Sequence, residues 1–232
     1  MRVITVVPFA ELGRFDNDWL AARYHFSFAG YRDPKRMGFG QLRVWNDDRI
    51  RPKGGFGMHP HRDMEIITYI RSGALTHEDS LGNRGRIGAG EVQVMSAGTG
   101  IVHSERNEGD VDVELFQIWV MPRESGLEPR WDQARVRAAE TPNEFVTLVS
   151  GRDGDGLSIN QDAKLLAGVV AAGRTLRHDL ASGRRAYLVA PRGRMRVNGL
   201  PIAARDGVSV EDARRIEIEA IEAGEVVLLD LP

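Results

Sequence analysis

What most constrains this chain is its punctuation. Its 26 glycines and 10 prolines are spread along 232 residues, and between them lie short runs rich in Val, Ile, Leu, Phe and Tyr. FGQLRVWND, MEIITYIRSG, LTHEDSLG, GEVQVMSAG and VELFQIWVMP are each of strand length, and alternation of the kind a half-buried strand needs is plain in VELFQIWV. Turn signals this frequent predict an all-β chain built as sandwiches or barrels. Helices are expected to be few and short: FDNDWLAAR at 15–23 and DQARVRAAE at 132–140 each read as about two turns.

The second half repeats the first. AYLVAPRGRMRVNG (186–199) lies on TYIRSGALTHEDSLG (68–82), ARDGVSVED follows it as RIGAGEVQVM follows the earlier segment, and EVVLLDLP closes the chain as VELFQIWVMP closes its counterpart. A period of roughly 115–120 residues is too long for a solenoid and suits two related β domains. The polar, Pro-containing stretch between about Arg123 and Asn143 is where a linker is expected, which divides the chain into 1–130 and 131–232.

Bulk chemistry removes several function classes. A formal charge of −2 provides no basic excess for nucleic acid or anionic lipid, so neither is expected as a direct partner. The chain has no cysteine, which excludes disulfides, thiolate-ligated zinc, iron–sulfur clusters and thiol nucleophiles. MRVITVVPFAEL is too short and too interrupted, at Pro8 and Glu11, to read as a signal peptide or a membrane span, so the cytoplasm is the expected compartment.

Against this background GMHPHRDMEI (57–66) stands out. Residues two apart on a strand share a face, so His59 and His61 can aim two imidazoles at one point, provided that Pro60 lies on a sheet edge. SAGTGIVHSERN supplies a second pair of the same parity, His103 and Glu105. Two such pairs are what a β-barrel needs to point four metal-binding side chains inward. Were 59–70 continuously extended, Asp63 and Glu65 would share the histidine face. Glu65 is then a fifth candidate ligand or an acceptor behind a ligand imidazole, and Asp63 either orients a histidine or faces water. His77 and Glu78, beside a turn, are expected to be exposed; His25, between aromatics, to be packed; His178 stands alone. Ser104 alternates to the face opposite His103, which argues against a serine–histidine pair, and the glycine-rich segments match no nucleotide-binding fingerprint.

HPHRDME and SAGTGIVHSE, preceded by HFSFAGYRDP and GFGQLRVWNDD, resemble the pirin family of the cupin superfamily, in particular its bacterial quercetinase-like members. The likeness runs from about residue 10 to 122, and the length and duplicated pattern agree with it to the C-terminus. It implies a bicupin of two jelly-roll-like domains, one metal on His59, His61, His103 and Glu105 in the first, no metal in the second, and a monomer. It also favours Glu105 over Glu65, which is where most cupins place the ligand carboxylate.

Three imidazoles and one carboxylate suit a divalent transition metal and argue against calcium. Fe(II) is favoured, with Ni, Co, Mn, Cu or Zn as alternatives. The resemblance implies quercetin 2,3-dioxygenase chemistry: O2 and a small aromatic or enediol substrate, with Glu105 accepting or relaying the substrate proton. The alternatives are a metal-dependent binding or regulatory protein with a protein partner, and a non-redox isomerase or hydrolase. Because a ligand imidazole must be neutral, acid is expected to release the ion as pH falls toward roughly 5.

Overall fold

The computed structural model describes residues 3–151 and 156–232. Within them the only helix is a single 3-10 turn, Phe9–Glu11; the rest of the regular structure is strand, and the strand pairs described below are antiparallel. Both expected helices are strands instead. Residues 15–23 form the hairpin Gly13–Asp16/Leu20–Tyr24, because Asn17 closes a turn, its Oδ1 accepting from the backbone N–H groups of Trp19 at 3.0 Å and Leu20 at 2.7 Å. Burial then alternates with period two along Leu20–Tyr24. Arg130–Arg135 pairs with Glu91–Ser96, and a turn at 138–140 follows. At both places ladder hydrogen bonds override modest helical propensity.

The chain forms two compact units. One comprises Gly13–Arg135 with Leu157–Gln161; the other takes the chain up to Leu12, Val136–Gly156 and Asp162–Pro232. In the first unit a long sheet runs in the order Arg130–Arg135, Glu91–Ser96, Glu65–Ser72, Val113–Val120, Leu42–Ile50, Leu20–Tyr24 and Gly13–Asp16. A four-stranded sheet runs Gly55–His61, Ile101–Arg106, Ala74–Asp79, Arg84–Gly88. Pro60 therefore lies on an edge strand, where its missing N–H breaks no interior ladder. Leu20, Ile50, Ile70, Val113 and Leu115 of the long sheet pack with Leu75 and Ile87 of the short one.

The second unit repeats most of this order. Gly207–Glu211, Arg185–Arg192, Gly224–Leu231, Lys164–Val170 and Val146–Ser150 follow one another in its long sheet, and Thr175–Asp179, Arg215–Ala220, Met195–Val197, Leu200–Ile202 in its short one. The edge strand is borrowed from the start of the chain. Val3–Val7 pairs with Gly207–Glu211 in the place that Arg130–Arg135 takes beside Glu91–Ser96.

Register shows where the repeats differ. In the first unit Gln93, Thr68, Gln117 and Asn46 lie directly opposite one another on four adjacent strands, a buried polar rung. In the second unit the corresponding rung is Val208, Leu188, Leu228 and Leu166, part of a continuous apolar core.

Close packing fixes the short sheet. A Cβ on Gly55 would meet the Glu105 carbonyl oxygen at 2.5 Å and the Arg106 Cα at 2.6 Å, whereas one on Gly57 meets nothing within 4 Å. Gly55→Ala should therefore lower stability by about 1–3 kcal/mol and Gly57→Ala by much less, as read from paired denaturant unfolding curves.

Candidate metal centre

The strand Ile101–Arg106 is the axis of the site. Ile101, His103 and Glu105 are buried, whereas Val102 and Arg106 are exposed. On one side His103 lies opposite His59 and Ile101 opposite His61; a register shift between His103 and Glu105 brings Phe56 opposite Glu105. On the other side Asp79 lies opposite His103 and His77 opposite Glu105. Strand parity thus carries His59, His61, His77, Asp79, His103 and Glu105 on one sheet.

The imidazoles of His59, His61 and His103 converge, with ring centroids 4.4–4.9 Å apart and one nitrogen from each within 4.8 Å of the others. The His59 Nδ1–H donates to the Gly57 carbonyl at 2.7 Å, which leaves Nε2 free to ligate. Both His103 ring nitrogens are buried without a hydrogen-bond partner in the protein, an arrangement that is costly unless something else satisfies them. A second group, His77, His103 and Glu105, meets the same distance limit. The two clusters share His103 and suit a single divalent ion.

Charge supports this. Burial, then the neighbouring His103 and His59, lowers the His61 pKa to about 4; burial, then His59 and His77, lowers that of His103 to about 3. Both rings are neutral at pH 7, the form in which an imidazole can ligate a metal. Protons therefore compete for these two rings only below the range of an ordinary histidine.

Glu105 is buried and held from the facing sheet. Its Oε1 accepts from Gln93 Nε2 at 2.5 Å and its Oε2 from Gln117 Nε2 at 2.7 Å. The Thr68 hydroxyl lies 3.2 Å from Oε1 and 3.1 Å from Gln117 Oε1, and its single proton serves one of them at a time. Gln93 is itself fixed by donation from Trp131 Nε1 at 2.8 Å. Glu65 and Asp63 lie elsewhere. Glu65 accepts from Ser96 at 2.7 Å and Asn160 at 3.0 Å, and the Asp63 carboxylate accepts from the Gly126 N–H at 2.7 Å. The continuous strand that would have aligned them with His61 is interrupted at Asp63, whose φ is +46° and whose N–H donates to Gly98.

A cavity of about 250 Å³ borders the cluster, at the small end of ligand-site sizes. Phe28, Phe56, Ile66 and Trp119 form its apolar lining; Asn46, Asp48 and Gln117 add polar groups. Asn46 Oδ1, Asp48 Oδ1 and Trp119 Nε1 are buried without a partner in the protein. Burial, then Asp47 and Glu105, pushes the Asp48 carboxyl well above the usual carboxylate range.

A model of the family described as Pirin matches residues 6–120, and one described as the quercetinase C-terminal cupin domain matches 147–231. A pirin-like protein of Caulobacter vibrioides is 49% identical over 225 residues, covering 96% of this chain and 97% of that one. The chain belongs to the pirin family. Its fold is the family's pair of cupin domains. Quercetin 2,3-dioxygenase of Escherichia coli K12 is 42% identical over 223 residues, 96% of each chain. The crystal structure of the bacterial pirin YhhW of Escherichia coli in complex with nickel(II) superposes with a TM-score of 0.93, at 40% identity and 99% coverage of both chains.

Several members of this pirin site escape the sequence reading. His77 is fully buried, not exposed: it is stacked on Trp131 at 4.9 Å with an interplanar angle of 11°. The signal was present, because His77 and Asp79 form a third pair two residues apart, matching 59/61 and 103/105. The rung of Gln93, Thr68, Gln117 and Asn46 had no such signal, since it depends on register across four strands. His25 is buried beside Trp45, as its aromatic neighbours suggested.

The histidine shifts set a pH dependence for the metal-free protein. Both folded-state values lie below the ordinary histidine value of 6.5, so the unfolded chain binds more protons between about 6.5 and 3. The corresponding stability is complete above pH 6.5 and is lost as pH falls through about 4. Denaturant midpoints of chelator-treated protein should decline over that window, and less steeply in His61→Phe. A pH-independent midpoint there would contradict the assignment.

Proposed function

We propose that this protein is a metal-dependent dioxygenase that cleaves a flavonol-like or enediol substrate with O2, its ion held by His59, His61, His103 and Glu105 and Fe(II) favoured. The observation that carries this is the convergence of three imidazoles, two with depressed pKa values, on a cavity with an aromatic wall. Near-complete alignment with quercetin 2,3-dioxygenase of Escherichia coli supports the choice of chemistry. A divalent ion bound there supplies Lewis acidity and, if redox-active, a route for electrons to dioxygen.

The chain's own residues do the rest. Phe28, Phe56 and Trp119 fit a flat ring, and Asn46, Asp48 and the Trp119 N–H offer hydrogen bonds to its hydroxyl groups. Glu105 takes the proton of the reacting hydroxyl. Its two oxygens have lone pairs beyond those used by Gln93 and Gln117, and those two amides fix the carboxylate where the proton arrives. The apolar lining limits water around the reacting carbon.

Replacing His59, His61 or His103 by alanine should each lower metal affinity by more than the roughly hundredfold that loss of an outer partner costs. Glu105→Gln should lower both affinity and aerobic flavonol consumption, while Glu65→Gln, distant from the cluster, should leave metal affinity unchanged and act on stability alone. The assay is metal content with flavonol loss under air, carbon monoxide release and labelled-oxygen incorporation. No flavonol loss with iron, nickel, cobalt, manganese or copper supplied would turn the assignment toward a binding or regulatory protein.

A further inference from the structure

His77 is fully buried, and one of its ring nitrogens is accounted for. Nε2 lies 3.0 Å from Asp79 Oδ2. Asp79 also accepts from the Leu81 and Asn83 N–H groups at 2.9 and 3.0 Å and from the Asn83 side-chain amide at 2.9 Å. A carboxylate with so many donors accepts from His77, so the His77 proton sits on Nε2 and Nδ1 carries a lone pair. That Nδ1 is buried and has no hydrogen-bond partner in the protein. The nearest imidazole is His103, 5.3 Å away between centroids, with both of its own nitrogens equally without partners. One nitrogen of each ring falls in a group whose ligand atoms all lie within 4.8 Å of one another.

A histidine that ligates a metal through one nitrogen has a proton to place on the other, and it is normally given an acceptor that fixes ring and tautomer. His103 has no carbonyl or carboxylate in that role. We propose that His77 is a positioning residue for the metal centre: with His103 ligating an ion, its other N–H is given to His77 Nδ1, a hydrogen bond that neither ring makes in this structure, and Asp79 holds His77 in the tautomer that makes this acceptance available. The inference rests on His103 being a ligand.

The surroundings support a rigid, aimed ring. Trp131 stacks on His77 and is itself confined, because a Cβ on Gly85 would come within 2.3 Å of the indole. Through its Nε1–H the same indole fixes Gln93, which donates to Glu105. One aromatic plate therefore backs both His103, by way of His77, and Glu105, by way of Gln93. The second cupin unit gives an internal comparison. By register, Val197 stands where His77 stands, opposite Ile218 in the place of Glu105. The candidate ligand and the backing histidine are replaced together.

The test measures metal binding, separate from turnover. Metal-free protein is titrated with Co(II) and Ni(II) against a chelator, with the visible Co(II) spectrum recorded and thermal unfolding followed without metal. His77→Phe keeps the stacking ring but removes the acceptor; it should fold and bind about 10- to 100-fold more weakly, with Co(II) bands of parent position and intensity. His77→Gln, which restores an acceptor oxygen, should recover part of the loss, and Asp79→Asn should show a smaller loss in the same direction. Parent-level affinity in His77→Phe would overturn the proposal. So would a loss as large as that of His103→Ala together with a changed Co(II) spectrum, which would make His77 a ligand. His103→Ala is the control for the underlying reading: full affinity there removes His103 from the ligand set, and this inference with it.

Discussion

The Glu105 carboxylate joins two sheets that would otherwise have incompatible interiors. It projects from the short sheet into a space walled by strands of the long one, where an unpartnered carboxylate would carry a penalty of several kcal/mol. Gln93, Thr68 and Gln117 meet it with two amides and a hydroxyl. Because the rung spans adjacent strands in register, the carboxylate is set by the backbone of a whole sheet and not by one flexible neighbour. His103, two residues earlier on the same strand, takes its place from the same constraint, and His59 is paired opposite it. The long sheet holds the carboxylate, the short one presents the imidazoles, and their agreement makes a site.

The duplicated unit shows what this polarity replaces. At the register positions of His103 and Glu105 it has Ile216 and Ile218, and its rung is Val, Leu, Leu, Leu. One fold thus supports both a dry hydrocarbon interior and a hydrogen-bonded interior, with most of the strand order unchanged. The position corresponding to His59 is still a histidine, His178, paired with Ile216 as His59 is with His103. Its Nε2 now meets Asp230 at 2.8 Å, and Asp230 is shared with Arg184. An ion-pair network has taken up the one imidazole that stayed.

Much of this was legible in the residues. Gly and Pro spacing predicts strands, parity predicts that the pairs 59/61 and 103/105 share a face, and the doubled pattern predicts two β units. The failures share a cause, which is that local pattern cannot see tertiary hydrogen bonding. Parity linked His61 to Glu65 through a strand that Asp63 interrupts with a left-handed residue. His77 looked exposed because Asn83 and Gly82 mark a turn nearby, yet its strand lies inside the short sheet, with a neighbour on each side. Helical composition at 15–23 and 132–140 yielded to sheet partners outside each segment, Leu42–Ile50 for Leu20–Tyr24 and Glu91–Ser96 for Arg130–Arg135. The compact units interleave for the same reason: Val3–Val7 finds its partner strand some two hundred residues away, at Gly207–Glu211.

The four candidate ligands are divided between unequal strands. His103 and Glu105 are anchored in an interior strand, while His59 and His61 ride on a sheet edge paired on one side only, with Pro60 between them. Such an edge opens locally at less cost than the molecule unfolds. If these residues hold an ion, its escape needs only the opening of seven residues, Gly55–His61, and not global unfolding. Amide exchange in that strand and the metal dissociation rate should rise and fall together. Thermal robustness and kinetic retention of the metal are therefore separate properties of this protein, and selection or engineering can alter one without the other.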